Sequence, residues 1–449
     1  MKTTIDRVGR IRRVALALWR RLNPSSAADD GPRSFEEAQP PGLTPAPEFW
    51  AGRWFDDAER HHRYHYAISG APRSGKSLLL ALYLRSVISQ ITPGSDRRLV
   101  IFDHNQMLHP ALFENVQVPV HFFLPNHRLT SRWGLAGGDF ASPAAVTQLC
   151  EALVPEVRGY GSIFFVQIAR RLMADVIHSL NATQPGWSLA DVVRILENQD
   201  STADILARSN GTSSLLRYMD EPRTWANIAA TEETHLGTPR DLAAMWSRAS
   251  QTFSLRDFVR SEGILVLGRD PGFPALDRLN MLLFTQLFSQ LLAQSDSATS
   301  RTHVVLDELP LAAGDRRPLS GLKDICERGA SRGVVLAVTF RSYADMKALY
   351  QHDADAILCM LQNKIFLRAP DVPTAKYASE AFRKWHEWID VSGEYHVLDA
   401  VPYEKFLELP SASPKDGITG YCLRPRAQRS PEVFHLPWHW VEANLPKGR

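Results

Sequence analysis

Residues 70–77 read Gly-Ala-Pro-Arg-Ser-Gly-Lys-Ser, with Gly70, Gly75, Lys76 and Ser77 at the spacing G-x-x-x-x-G-K-[ST]. Glycines at those two places permit a tight turn that aims consecutive backbone N–H groups inward, and a helix opening at the lysine adds the positive end of its dipole. A loop built this way from Gly70, Ala71, Pro72, Arg73, Ser74, Gly75, Lys76 and Ser77 cradles the phosphates of a nucleotide. Lys76 would reach the β and γ phosphates, and the Ser77 hydroxyl would ligate magnesium. The apolar end of Arg-Tyr-His-Tyr-Ala-Ile-Ser-Gly precedes the loop and a leucine-rich run follows it, the strand, loop and helix order that the pattern requires.

A second constellation lies far downstream. The run Thr-His-Val-Val-Leu-Asp-Glu, residues 302–308, suits a buried strand that ends on two carboxylates. Asp307 would hold the metal directly or through water, and Glu308 would orient and polarise an attacking water. Phosphate binding alone needs no such pair; hydrolysis does. ATP and Mg2+ are therefore the expected ligands. Asp103 closes another strand-like run, where a carboxylate could meet the site or serve as a turn residue. Arg328, Arg332 and Arg341 flank the run Gly333–Phe340, and one of them could act in trans as an arginine finger on the γ-phosphate.

The elements that must position these groups alternate in type. Strand-like runs occur before residue 70, at Arg97–Asn105, and at 263–270, 302–308, 333–340 and 363–370, with helical segments between them. That alternation predicts a doubly wound, mostly parallel α/β sheet. Between about 140 and 250 three runs have helical periodicity, and Ser188 with Asp191 has the spacing of a capping box. The expected organisation is a nucleotide-binding domain in two parts, 49–135 and 253–430, around a mainly all-α insertion at 136–252, with a tail at 431–449. Residues 1–22 predict a basic amphipathic helix, with Val8, Ile11, Val14, Leu18 and Leu22 on one side and arginines on the other. Its 7–22 stretch could lie on a membrane surface or dock on a partner. Residues 23–48 are proline-rich and read as a linker.

Composition sets only broad bounds. The chain has 449 residues, 44% apolar and 22% charged, with a net charge of +2. These are ordinary values for a globular protein, and the charge is too mild to imply a nucleic-acid surface by itself. Cys150, Cys326, Cys359 and Cys422 form no C-x-x-C pair and have no metal-ligand spacing, so they read as reduced core thiols. No apolar stretch is long enough to span a membrane, and a cytoplasmic place is expected, free or peripheral at the inner face of the membrane.

Residues 327–382 resemble the type IV secretion coupling proteins, the conjugative DNA-transfer ATPases of the HerA/FtsK type. The resemblance rests on Gly329, Ser331, Gly333, Ser342, Tyr350, Asn363, Leu367, Arg368, Asp371, Thr374, Ala375, Tyr377, Ser379 and Glu380, and extends over roughly residues 60–430. It implies a RecA-like P-loop NTPase fold and a homo-hexameric ring with ATP between neighbours. It further implies sequence-independent DNA translocation, with relaxase or secretion-system proteins as partners. Members often carry Gly-Arg-Ser where this chain has Gly329-Ala330-Ser331, and a glutamine where it has Arg341. Arg328 or Arg332 could stand in for the family's arginine, and Arg332 or Arg341 of a neighbouring subunit is the expected finger. Two alternatives stay open: a cytosolic relative serving defence or plasmid maintenance, and a weakly hydrolysing adaptor that nucleotide orders for protein partners.

Overall fold

A computed structural model describes residues 64–104, 110–113, 115–136, 138–155, 162–208, 221–297, 299–309, 317–382, 384–388, 395–424 and 432–445. The expected helix at 1–22 and linker at 23–48 lie outside the described residues. The strands are β1 (Tyr66–Ser69), β2 (Arg97–Asp103), β3 (Val120–Phe123), β4 (Ser131–Trp133), β5 (Gln251–Phe253), β6 (Gly263–Gly268), β7 (Arg301–Leu306), β8 (Val334–Phe340), β9 (Asn363–Phe366), β10 (Lys384–Trp388), β11 (Tyr395–Asp399), β12 (Ile418–Leu423) and β13 (Glu432–Leu436). The helices that bear on the site or its frame are α1 (Lys76–Ile88), α2 (Pro143–Leu153), α3 (Ser162–Thr183), α4 (Leu189–Leu196), α5 (Gln199–Arg208), α6 (Pro222–Trp246), α7 (Leu255–Phe258), α8 (Ala275–Leu292) and α9 (Leu322–Arg328).

Nine strands form one sheet in the order β13-β12-β9-β1-β8-β7-β2-β6-β3. From β9 to β3 all neighbours are parallel, and β12 runs antiparallel to β9 and β13. The central strands carry apolar residues on both faces, as a sheet covered on both sides demands. In β2, Leu99 and Ile101 pack on the side of α1, while Val100 and Phe102 pack with α8 on the other. The period-2 alternation of strand side chains therefore feeds two cores from one run.

Between β4 and β5 the chain is helical, from α2 through α6. Ser188 caps α4, and its box with Asp191 is formed. Within the expected all-α insertion no run is singled out at α6, whose interior contains Pro239 and a polar stretch that hides the helical period. The insertion joins the sheet domain at Asp139, which is buried. Its carboxylate accepts from the Trp133 indole N–H at 2.7 Å and from the backbone N–H groups of Leu255 and Arg256 at 2.6 and 2.9 Å. One side chain thus satisfies the start of α7 and ties it to β4.

The expected tail at 431–449 is corrected by the structure. Phe434 and Leu436 alternate with more exposed residues, the strand period, and β13 closes the sheet edge. The following helix, Trp438–Asn444, ends where the Asn444 carbonyl accepts from Arg85 of α1 at 2.6 Å. Among the described residues no helix is long and apolar enough to cross a membrane.

His65 fastens the strand entrance. Its Nδ1 accepts from the Leu336 N–H at 3.0 Å, so Nε2 carries the proton and donates to the Cys326 carbonyl at 3.1 Å. Burial is the main influence on its pKa, and lowers it to about 4. The unfolded chain takes up this proton near pH 6.5, so the stability tied to the neutral ring is complete above that pH and is lost as pH falls from 6.5 towards 4. Urea melts should show a loss of about 2–3 kcal/mol between pH 7 and pH 4.5 from this group, and His65→Gln should flatten that part of the profile.

Candidate nucleotide site

The parallel register decides which side chains meet. Ser69 of β1 stands opposite Phe340 of β8, and Leu306 of β7 stands opposite Val338 of β8 and Phe102 of β2. The residues that follow at the carboxyl ends therefore share one edge: Gly70 after β1, Asp307 and Glu308 after β7, and Arg341 after β8. Asp103 ends β2 beside them and His104 follows. In open parallel sheets this edge is where ligands bind.

The phosphate loop runs from β1 into α1. Gly75 has φ +103°, a conformation that favours glycine, and it starts a helix whose first turn has no side-chain cap. At Gly70 a Cβ would meet Ser74 Oγ at 2.5 Å and the buried Leu367 at 2.8 Å, so only glycine lets the chain turn here. Ser74 Oγ is buried with no hydrogen-bond partner among the described residues. Arg73 is exposed with φ +60°, and its carbonyl accepts from the Ala412 N–H at 2.9 Å. Added atoms at Gly75 would touch Ile418 and Ala412, so the segment leading into β12 backs the loop.

Lys76 is buried, and its ammonium donates to the carbonyls of Gly70 and Ala71 at 2.7 and 3.0 Å. Burial lowers its pKa most; Glu308 then raises it, Arg341 lowers it and Asp307 raises it. All four groups thus act in one electrostatic neighbourhood. Ser77 occupies the first turn of α1, half-buried.

Thr339 organises the acids. Its hydroxyl donates to Asp307 Oδ1 at 2.8 Å and accepts from the Glu308 N–H at 2.7 Å. Asp307 is buried and its pKa is pushed up to about 6, chiefly by burial. The Thr339 bond opposes that shift, Glu308 and Asp103 add to it, and Lys76 opposes it. Glu308 sits at φ +53°, a left-handed conformation that costs a residue with a Cβ about 1–2 kcal/mol. The Thr339 hydroxyl, which accepts from the Glu308 N–H, helps to hold it there, and the turn brings its carboxylate between Arg341 and His104. Arg341 Nη2 lies 3.5 Å from both Glu308 oxygens, and His104 Nε2 lies 3.9 Å from Oε2. Burial lowers the His104 pKa, with Glu308 opposing.

The expected site residues thus fall into two groups. Within one subunit, the loop 70–77, Asp307, Glu308 and Arg341 come together, with Arg341 beside Glu308. Arg332 of the same subunit lies elsewhere. It precedes β8, at the opposite end of a strand roughly 20 Å long. Its guanidinium donates to the carbonyls of Leu292 and Arg328, both at 2.9 Å. Arg328 pairs with Asp324 on the same helix at 3.3 Å. Thr339 and His104 were not expected. The signal for Thr339 was one hydroxyl in the otherwise apolar run Val-Val-Leu-Ala-Val-Thr-Phe.

These residues fit a nucleotide with magnesium. The loop offers an uncapped helix start and an orphaned buried hydroxyl, while Ser77 and Asp307 supply hard oxygen donors of the kind magnesium takes alongside phosphate oxygens.

A family profile described as "Type IV secretion-system coupling protein DNA-binding domain" matches residues 58–386. No curated protein sequence matches the chain. Among solved structures, the unbound bacterial conjugative coupling protein TrwBdeltaN70 is similar with a TM-score of 0.58 and 16% identity, covering 85% of this chain and 86% of that one. The plasmid coupling protein TrwB in complex with ADP and Mg2+ gives 0.60 at 17% identity, with the same coverage. TrwB in complex with the non-hydrolysable GTP analogue GDPNP gives 0.59 at 16% identity, again over 85% and 86%. The chain shares their P-loop NTPase fold, a large mostly parallel sheet flanked by helices. With most of its length matched by the family profile, the chain belongs to the type IV secretion-system coupling protein family.

Proposed function

We propose that this protein is an ATP-hydrolysing motor that binds and translocates DNA as a homo-hexameric ring, delivering DNA or nucleoprotein to a conjugative secretion channel. The observation that carries this reading is the convergence of the phosphate loop with Asp307 and Glu308 on one sheet edge, in a chain of the coupling protein family. The nucleotide-bound TrwB structures support ATP and Mg2+ as its ligands.

The loop N–H groups and the start of α1 bind the phosphates, and the Lys76 ammonium turns from the carbonyls of Gly70 and Ala71 towards the terminal phosphate. Ser77 and Asp307 would hold magnesium, which when bound neutralises charge on the phosphate oxygens. Glu308 orients the attacking water and accepts its proton, and Thr339 fixes the carboxylate's position through the Glu308 backbone. DNA contact through ring-facing lysines and arginines would be sequence-independent and would weaken steeply with salt. One observation favours a second reading, a nucleotide-ordered adaptor with little turnover: the Glu308 carboxylate is already engaged by Arg341.

Turnover of ATP with and without double-stranded DNA separates the two. Wild type should show DNA-stimulated hydrolysis, and Glu308→Gln should lose at least 100-fold of it, in the range expected for removing a general base, while still binding nucleotide. No turnover in the wild type, with nucleotide bound, would sink the motor and leave the adaptor. Gly70→Ala should weaken ATP binding at least tenfold, read by fluorescent-nucleotide titration, because neither the Ser74 hydroxyl nor buried Leu367 can clear the added methyl without moving the loop.

A further inference from the structure

We infer that Arg341 is a positioning cation shared between two anions of its own subunit: it holds Glu308 before nucleotide binds and passes to the terminal phosphate of a nucleoside triphosphate, which releases Glu308 for water. This inference rests on the nucleotide-binding part of the function proposed above.

Three observations support the exchange. Arg341 Nη2 is equidistant from the two Glu308 oxygens, 3.5 Å from each, a long contact that a better-matched anion can displace. Arg341 directly follows Phe340, whose carbonyl accepts from the Gly70 N–H at 3.3 Å, so it stands beside the start of the phosphate loop. Its side chain is 47% exposed, whereas that of Glu308 is 16% exposed. The arginine is the partner with freedom to move, and the glutamate is fixed by its backbone bond to Thr339.

His104 completes the arrangement. Its Nε2 lies 3.9 Å from Glu308 Oε2 on the side of β2, and its Nδ1 is buried with no partner among the described residues. When Arg341 departs, His104 remains beside the carboxylate. Glu308 and the terminal phosphate therefore compete for one guanidinium. A diphosphate lacks the competing group and leaves the pair in place.

The competition is measurable as coupling between the two residues. Binding of a non-hydrolysable ATP analogue and of ADP, each with Mg2+, would be titrated in wild type, Glu308→Gln, Arg341→Gln and the double variant. Glu308→Gln should tighten the triphosphate analogue about three- to tenfold and should tighten ADP at least threefold less. In the Arg341→Gln background most of that gain should vanish, because no shared cation remains. Arg341→Lys should restore part of it, which guards against a failure of the glutamine variant to fold. A Glu308→Gln gain that persists in full without Arg341, or that is equal for ADP, would overturn the exchange while leaving nucleotide binding intact. Absence of nucleotide binding by the wild type would instead overturn the proposed function on which the inference rests.

Discussion

The site depends on the register of four parallel strands. Hydrogen bonding fixes β1, β8, β7 and β2 against one another over their lengths, and their last residues fall in line at one edge. A slip of one residue in β8 would turn Thr339 to the other face of the sheet and remove the single hydroxyl that serves both Asp307 and Glu308. The alternation of large apolar side chains into two separate cores opposes such a slip, since it would expel each from its core. Packing far from the edge thereby positions the chemistry at it.

That edge collects more negative charge than a buried site comfortably holds. Asp103, Asp307 and Glu308 lie together, with Lys76, Arg341 and a histidine whose pKa burial lowers against them. The raised pKa of Asp307 and the lowered pKa of Lys76 both reflect charges kept from water, the condition under which a bound anion or metal changes the local balance most. Order is maintained by hydroxyl and backbone groups, which carry no charge of their own, and the ionised groups are left to respond to what binds.

Much of this was legible in the sequence, for identifiable reasons. The phosphate loop has a fixed spacing, and the central strands are unbroken apolar runs, so both stand out without a fold. Ser188 and Asp191 advertised a helix start because a capping box is local. Arg332 and Arg341 weigh alike as expected fingers from a neighbour, although in a parallel sheet the residue after the strand shares the edge with Asp307 and the residue before it lies at the far end. His104 was invisible because its meaning depends on β2 lying beside β7, a pairing between residues some two hundred positions apart in the chain. The edge strand β13 was missed since five residues of alternating burial next to a helix carry little signal.

The support that Ala412 gives to Arg73 bears on how this protein is made. The loop at residues 70–77 is synthesised more than three hundred residues before the segment that braces it at Ala412 and the edge strands that anchor that segment. A growing chain therefore carries the loop's sequence long before it carries the loop's support, and the brace under the phosphate cradle is added only after the whole of the helical insertion has been made.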